Sequence, residues 1–370
     1  MFNFLSIWGD FMNKSNMILW ISIIIISLFG LIMIYSASYV WSTYKFSDPF
    51  KYIKNQGLFL IVGFFQMYYM SKINFEKYYE KATKIFIICF ILLILVLFFG
   101  TERNGSKSWF VIGSFGIQPS EFMKLAMIIF TSKYLYNNHK KIKNIKKGVI
   151  PILILTLLVF GLIMLQPDFG TGLILIMSVM GLLFVGGTSI SFFIKIGFIG
   201  IGGIIGLIIA APYRLKRIVS FLNPWEDPLG SGFQIIQSLY AIGPGGLFGF
   251  GLGASRQKHF YLPEPQTDFI FSIISEEFGF LGVLIVSILF ITIVFTSFKI
   301  ALKCENLFGK YLAFGISFEL AFQALLNLMV VVGLLPVTGV TLPFLSYGGS
   351  SLLITLLSMG IILNISRYQK

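Results

Sequence analysis

Residues 148–187 read GVIPILILTLLVFGLIMLQPDFGTGLILIMSVMGLLFVGG. Two apolar runs, 148–166 and 170–187, flank the short turn Pro167-Asp168-Phe169. A helix crosses the bilayer core with about 20 mostly apolar residues. A helix that is apolar on every face is buried all round or lies in lipid. The stretch therefore reads as two adjacent membrane spans. Working outward, similar runs occur at 17–38, 55–71, 83–100, 117–136, 192–211, 267–298, 309–334 and 349–366. The run at 55–71 is weak, and 267–298 is long enough to tilt or to begin outside the bilayer. The expected fold is all-α and integral to the membrane, with about ten transmembrane helices. One transmembrane domain, 17–366, lies between short cytoplasmic tails, 1–16 and 367–370.

Composition agrees. Of 370 residues, 56% are hydrophobic and 12% charged. The mean hydropathy is +0.88. A soluble domain of this length carries about 25% charged residues. The net charge of +13 would suit nucleic acid if it formed a stripe, but the basic residues sit in short loops between apolar runs and match no nucleic-acid fold motif. That distribution is the positive-inside bias. Cys89 and Cys304 fall at different depths, so no disulfide is expected. No metal-type cysteine spacing, cleavable signal peptide, Walker loop, dinucleotide fingerprint or nucleophile elbow is present. His139 and His259 have no ligand partner nearby in sequence and are read as non-catalytic.

Lysine and arginine set the orientation. Residues 139–147 hold five lysines. Loop 72–84 holds Lys72, Lys77, Lys81 and Lys84, and loop 299–310 holds Lys299, Lys303 and Lys310. With ten spans these loops share one side with both termini, and that side is read as cytoplasmic. Loops 39–54, 101–116, 167–169, 212–266 and 335–348 then face outward. Loop 212–266 breaks the charge pattern with Arg214, Lys216, Arg217, Arg256 and Lys258. It is long enough for the rule to lose force. Its glycines and prolines bend the chain often and let backbone approach a ligand, and long structured loops are usually functional.

Ionisable groups at membrane depth face a cavity or a partner. Four places qualify. Glu121 and Lys124, in Gln118-Pro119-Ser120-Glu121-Phe122-Met123-Lys124, share one helix face. They make either a self-contained ion pair at a helix start or the lining of a polar pocket below the outer surface. Asp268 stands where the long loop enters the eighth span, with Ser272 and Glu276 following at four-residue steps. A helix-dipole role would explain Asp268 but not Glu276, two turns deeper. Glu319, Gln323 and Asn327 repeat the four-residue spacing mid-span, as polar glue between helices or as chemistry. Asp168 lies in a tight turn whose chemistry alone could account for it; the other reading is cavity lining. An outward-facing reaction has no ATP, so it needs an activated membrane-borne substrate. Asp268 could take a proton from an attacking hydroxyl. Lys124, Arg214 or Arg217 could stabilise an anionic leaving group such as pyrophosphate. A hard divalent cation, Mg2+ or Mn2+, could share that role, held partly by substrate phosphates. No organic cofactor is expected.

Five stretches carry a resemblance. They are Gln118-Pro119-Ser120-Glu121, Gln166-Pro167-Asp168-Phe169-Gly170-Thr171, Asp227-Pro228-Leu229-Gly230-Ser231-Gly232, Thr267-Asp268-Phe269-Ile270-Phe271 and Leu345-Ser346-Tyr347-Gly348-Gly349-Ser350-Ser351. In this order, over nearly the whole chain, they resemble the SEDS family of bacterial shape, elongation, division and sporulation proteins. Ala254-Ser255-Arg256-Gln257-Lys258 and Leu335-Pro336-Val337-Thr338-Gly339 look more like its FtsW and SpoVE members than like RodA. The resemblance implies a peptidoglycan glycosyltransferase in the bacterial cytoplasmic membrane. Such an enzyme polymerises lipid II at the outer leaflet and releases undecaprenyl pyrophosphate, with inversion at the anomeric carbon. It implies that Asp268 is the essential acid, as base or cation ligand, and that Glu121 and Lys124 line the same cavity. It also implies a class B penicillin-binding protein as transpeptidase partner, beside other divisome or elongasome proteins. Two other classes fit the residues: a lipid II flippase, for which the Glu319 stripe is the best feature, and a non-enzymatic scaffold, which would not need Asp268.

Overall fold

In lipid, an apolar run satisfies its backbone polar groups only by coiling into a helix or closing a barrel. Each of the ten runs is helical in the computed structural model, which describes residues 14–103, 106–113, 115–209, 221–230 and 232–369. The helices are α1 (Lys14–Phe46), α2 (Lys51–Lys72), α3 (Glu76–Phe99), α4 (Pro119–Asn138), α5 (Ile150–Met164), α6 (Phe169–Val185), α7 (Ile190–Ile209), α8 (Phe233–Ile242), α9 (Ile270–Lys303), α10 (Leu307–Val331) and α11 (Gly349–Ile365). Among the described residues, six helices are long and apolar enough to cross a membrane: α1, α3, α5 with its leading π turn, α9, α10 and α11. The apolar helix α6 and the apolar stretch Ile190–Gly200 of α7 are shorter, and α2 and α4 carry more polar side chains, among them Gln56, Gln66, Glu121 and Lys124. The chain is a mostly helical, multi-pass membrane protein.

The bundle packs α2 along α11, α3 along α4, and α9 along both α1 and α10; α10 also lies against α4 and α6. α4 is buried on nearly every face from Pro119 to Ile129. Met123, Met127 and Ile128 of α4 meet Leu182 and Ile316 in the shared core. Cys89 and Cys304 are free thiols.

Two segments expected as outward-facing loops hold regular structure. Residues 101–116 form a three-stranded antiparallel meander, β1 (Thr101–Arg103), β2 (Ser106–Ile112) and β3 (Phe115–Ile117). Segment 212–266 contains α8, whose Ile235, Ile236 and Ala241 are buried.

The helix that follows is broken. Gly279 in α9 has φ 60° and ψ −155°, a conformation only glycine adopts without strain. From Phe280 to Lys303 the helix rises about 36 Å, enough to cross a hydrocarbon core of about 30 Å. The half-helix Ile270–Phe278 is therefore not needed for the crossing. It sets where the chain just before it, including Asp268, enters the bundle.

Candidate functional site

The expected residues lie at the α4 start, the α6 start, the middle of α10 and two segments, 264–268 and 338–347; the cleft at Lys124 is lined from α4, α10 and α11, and Asp268 is not in its lining. Pro119 opens α4 at its first turn, where a missing N–H costs nothing. Glu121 lies in the same turn, and Lys124 follows one turn on. Lys124 is wholly enclosed: its Nζ lies 3.3 Å from Glu121 Oε2 and 3.2 Å from Glu319 Oε1. It also donates to Gln323 Oε1 at 2.8 Å. One ammonium thus ties α4 to α10, and Glu121, Lys124, Glu319 and Gln323 line a cleft with Thr355 and Ser358 of α11. Of the two readings of Glu121 and Lys124, the ion pair is present, but it is shared with a second helix and faces a cleft.

Asp168 does more than shape a turn. Its carboxylate caps α6 by accepting from the Thr171 N–H at 3.2 Å. It also accepts from Gln118 Nε2 at 2.8 Å and from the Ser120 hydroxyl at 3.3 Å. It therefore joins the starts of α4 and α6.

Asp268 lies two residues ahead of α9, outside the apolar span, and is partly buried. Its backbone is clamped. Asn327 donates from Nδ2 to the Asp268 carbonyl at 2.8 Å and to the Val340 carbonyl at 2.7 Å. The Ser346 hydroxyl donates to the Thr267 carbonyl at 2.6 Å, and the Tyr347 N–H to the Gln266 carbonyl at 2.8 Å. The side chain faces Gly339. Burial, then the nearby carboxylates of Glu264 and Asp168, push its pKa up to about 7. A carboxyl so placed is half ionised near neutrality, which suits a general base. Glu264, beside it, has a φ of 48°, and such left-handed strain in a non-glycine residue concentrates at functional sites.

The remaining expected residues divide. Gln323 and Asn327 bridge helices and loops as a polar stripe: Gln323 also donates to the Thr341 carbonyl at 3.0 Å. The placement of Ser272 and Glu276 on one cavity-lining stripe with Asp268 needs correction. Ser272 is buried with its hydroxyl 2.8 Å from that of Ser238 in α8. Glu276 is buried and accepts from the Ser255 hydroxyl and from the N–H groups of Arg256 and Gln257. Four-residue spacing predicts a common face only while the helix is straight and stands alone; here the long loop covers that face. Arg214 and Arg217 lie outside the described residues. Sequence reasoning missed the anchoring of Asp268 by Asn327 and the ion pair between Lys258 and Glu277, 3.1 Å apart. Lys258 stood out as a charge on the wrong side. Its burial explains why it breaks the loop rule.

No group of three or more His, Cys, Asp or Glu residues that could hold a metal ion occurs among the described residues. The donor chemistry at Asp268 fits a hard cation only if substrate oxygens complete its shell, as is usual for Mg2+.

Comparison with known proteins places this chain in a family. The family profile FTSW_RODA_SPOVE, cell cycle protein, matches residues 16–370. Stage V sporulation protein E of Bacillus subtilis (strain 168) is 51% identical over 360 residues, covering 97% of this chain and 98% of that protein. A probable peptidoglycan glycosyltransferase FtsW of Geobacter sp. (strain M18) is 40% identical over 353 residues, covering 95% and 96%. Among solved structures, a chain of a peptidoglycan synthase complex that coordinates polymerization and crosslinking superposes with a TM-score of 0.77 at 30% identity, over 94% of this chain and 96% of that one. Rod shape determining protein RodA of Thermus thermophilus superposes with a TM-score of 0.70 at 29% identity, over 95% and 97%.

Proposed function

The chain belongs to the FtsW, RodA and SpoVE family of cell cycle proteins, and on that premise we propose that it is a peptidoglycan glycosyltransferase that polymerises lipid II at the outer face of the bacterial cytoplasmic membrane. The relatives named as glycosyltransferases support the activity. The observation that carries it to this chain is Asp268: a carboxyl with a pKa near neutrality, partly open, on a backbone clamped from two sides. In the reaction, the 4-hydroxyl of the acceptor sugar attacks the anomeric carbon of the lipid-linked chain. The new C–O bond forms as the bond to undecaprenyl pyrophosphate breaks, with inversion. Asp268 accepts the hydroxyl proton. Lys124 is already flanked by two carboxylates, which leaves the departing pyrophosphate to Arg214 or Arg217. Mg2+ or Mn2+, if bound, would be held by substrate phosphates, with Asp268 as a ligand in place of its role as base, and would supply charge neutralisation.

The reading includes ten crossings by α1–α7 and α9–α11, both termini in the cytosol, and segment 212–266 outside. It takes 17–366 as one transmembrane domain between the tails 1–16 and 367–370. It includes a class B penicillin-binding protein as partner, for which the synthase-complex relative gives support, and a place in the division or elongation machinery. Flipping of lipid II is not favoured. A translocation path would need the Glu319, Gln323 and Asn327 stripe free, and those side chains hold Lys124, Thr341 and Asp268. The test is polymerisation of lipid II by the purified protein with its transpeptidase partner. Glycan strands should form, and Asp268→Ala should make none. Full polymerisation by a correctly inserted Asp268→Ala protein would remove Asp268 from the mechanism.

A further inference from the structure

A second buried charge cluster lies outside the cleft. Lys258 Nζ sits 3.1 Å from Glu277 Oε1, with both side chains almost wholly enclosed. The ammonium also donates to the Gly253 carbonyl at 2.6 Å and to the Ser36 hydroxyl of α1 at 3.3 Å. Ser36 Oγ lies 2.7 and 2.8 Å from the two oxygens of Glu277. Glu276, the preceding residue, receives the Ser255 hydroxyl and two loop N–H groups. Adjacent carboxylates thus hold loop 253–258 against α9 and α1.

The cluster sits beside the break in α9. Around Gly279 the loop runs across the helix and pairs with it by main chain. Phe250 and Gly251 donate to the carbonyls of Glu276 and Glu277, and Phe280 and Leu281 donate to those of Gly246 and Leu247, at 2.8–3.1 Å. At the crossing two glycines meet. A Cβ on Gly279 would come 2.5 Å from the Gly249 nitrogen, and one on Gly249 would come 2.3 Å from the Glu277 carbonyl. The loop segment supplies the partners that the broken helix lacks. The half-helix Ile270–Phe278 is therefore aimed by this crossing, and its leading end delivers Asp268.

Buried ion pairs add little net stability compared with apolar residues of equal volume; their best-attested use is fixing a register. Lys258 meets Glu277, Gly253 and Ser36 together in one register of loop on helix. We infer that Lys258 and Glu277 are positioning residues for the proposed reaction, a clamp that sets the direction of the half-helix carrying Asp268. The inference rests on the glycosyltransferase reading for its kinetic consequence, and on geometry alone for the clamp.

The experiment uses the full-length protein with its transpeptidase partner and lipid II. Lys258→Met with Glu277→Leu exchanges the pair for apolar side chains of similar size. The thermal midpoint should stay within about 4 °C of the parent. The kcat should fall about ten-fold or more, since small misplacements at a reacting centre cost that much, while KM stays within about two-fold, because substrate binding is untouched. Amide exchange at Phe250, Gly251, Phe280 and Leu281 should quicken. A parental kcat in the stable double variant overturns the inference. Should the double variant not fold, Ser36→Ala decides. It loosens the clamp without unpairing a charge, so kcat should fall with the thermal midpoint held, and an unchanged kcat overturns the inference. A parent protein that makes no glycan would sink the reading under Proposed function, and the exchange measurement would still decide the clamp: unchanged exchange at the four amides would overturn it.

Discussion

At the scale of single residues, the proposed chemistry turns on how a carboxyl at position 268 is surrounded. Burial and two neighbouring carboxylates raise its pKa to about 7 from an ordinary 3.8. The proton-accepting form therefore dominates only above about pH 7. We expect kcat/KM for lipid II to rise with pH through that value, and Glu264→Gln, which removes one repelling charge, to move the midpoint lower. The sign for stability is opposite. The native state holds this proton more tightly than the unfolded chain does, so the contribution of Asp268 to stability falls as pH climbs from about 4 to above 7. Asp268→Asn should then unfold at a higher temperature than the parent at pH 8, with the gap closing toward pH 4, as a thermal scan in detergent would read. Lys124 is governed by its partners rather than by solvent. Lys124→Met leaves Glu121 and Glu319 facing each other unpaired, and removal of one member from a buried pair costs about 3–5 kcal/mol. A loss of thermal stability below that produced by Glu319→Gln would contradict the shared ion pair.

At the scale of elements, α10 connects the cleft at Lys124 to the main chain at Asp268. Its stripe climbs one turn at a time from Glu319 and Gln323, both on Lys124, to Asn327, on the main chain at Asp268. Asn327→Ala strips the donors from two carbonyls, those of Asp268 and Val340. Each buried acceptor left bare costs about 1–3 kcal/mol, so this variant should lose more stability than Ser272→Ala, which disturbs a single hydroxyl pair. Chemical unfolding of the two proteins side by side measures the difference. α9 contributes through its break. A straight helix would carry Asp268 along the axis of the crossing segment; Gly279 frees the first nine residues of α9 to take another direction.

At the scale of the whole molecule, the proposed topology makes a labelling prediction. The two native cysteines are buried, so an added cysteine reports with little background. Lys141→Cys, in the lysine-rich loop, should react with a membrane-impermeant maleimide only after the cells are opened. Glu226→Cys, in the long loop, should react in intact cells whose inner membrane is sealed. The reverse pattern would put Asp268 on the wrong side for lipid II polymerisation at the outer leaflet.

The apolar runs made the helical membrane fold legible from sequence, because lipid permits so few ways of satisfying a backbone and a run of about 20 residues leaves one. Asp268, Glu121, Lys124 and the Glu319 stripe were legible for the same reason, since a polar side chain in such a run stands out against its neighbours. What those residues touch was decided only in three dimensions. Lys124 found a second carboxylate 195 positions away, Glu276 turned to the loop instead of the cleft, and Lys258, a misplaced charge by the loop rule, joined a buried pair with Glu277. The physical cause is common to all three. Helical spacing fixes which residues share a face, whereas the partner of that face depends on how distant segments of the chain pack against it, and at α9 it depends also on the kink at Gly279.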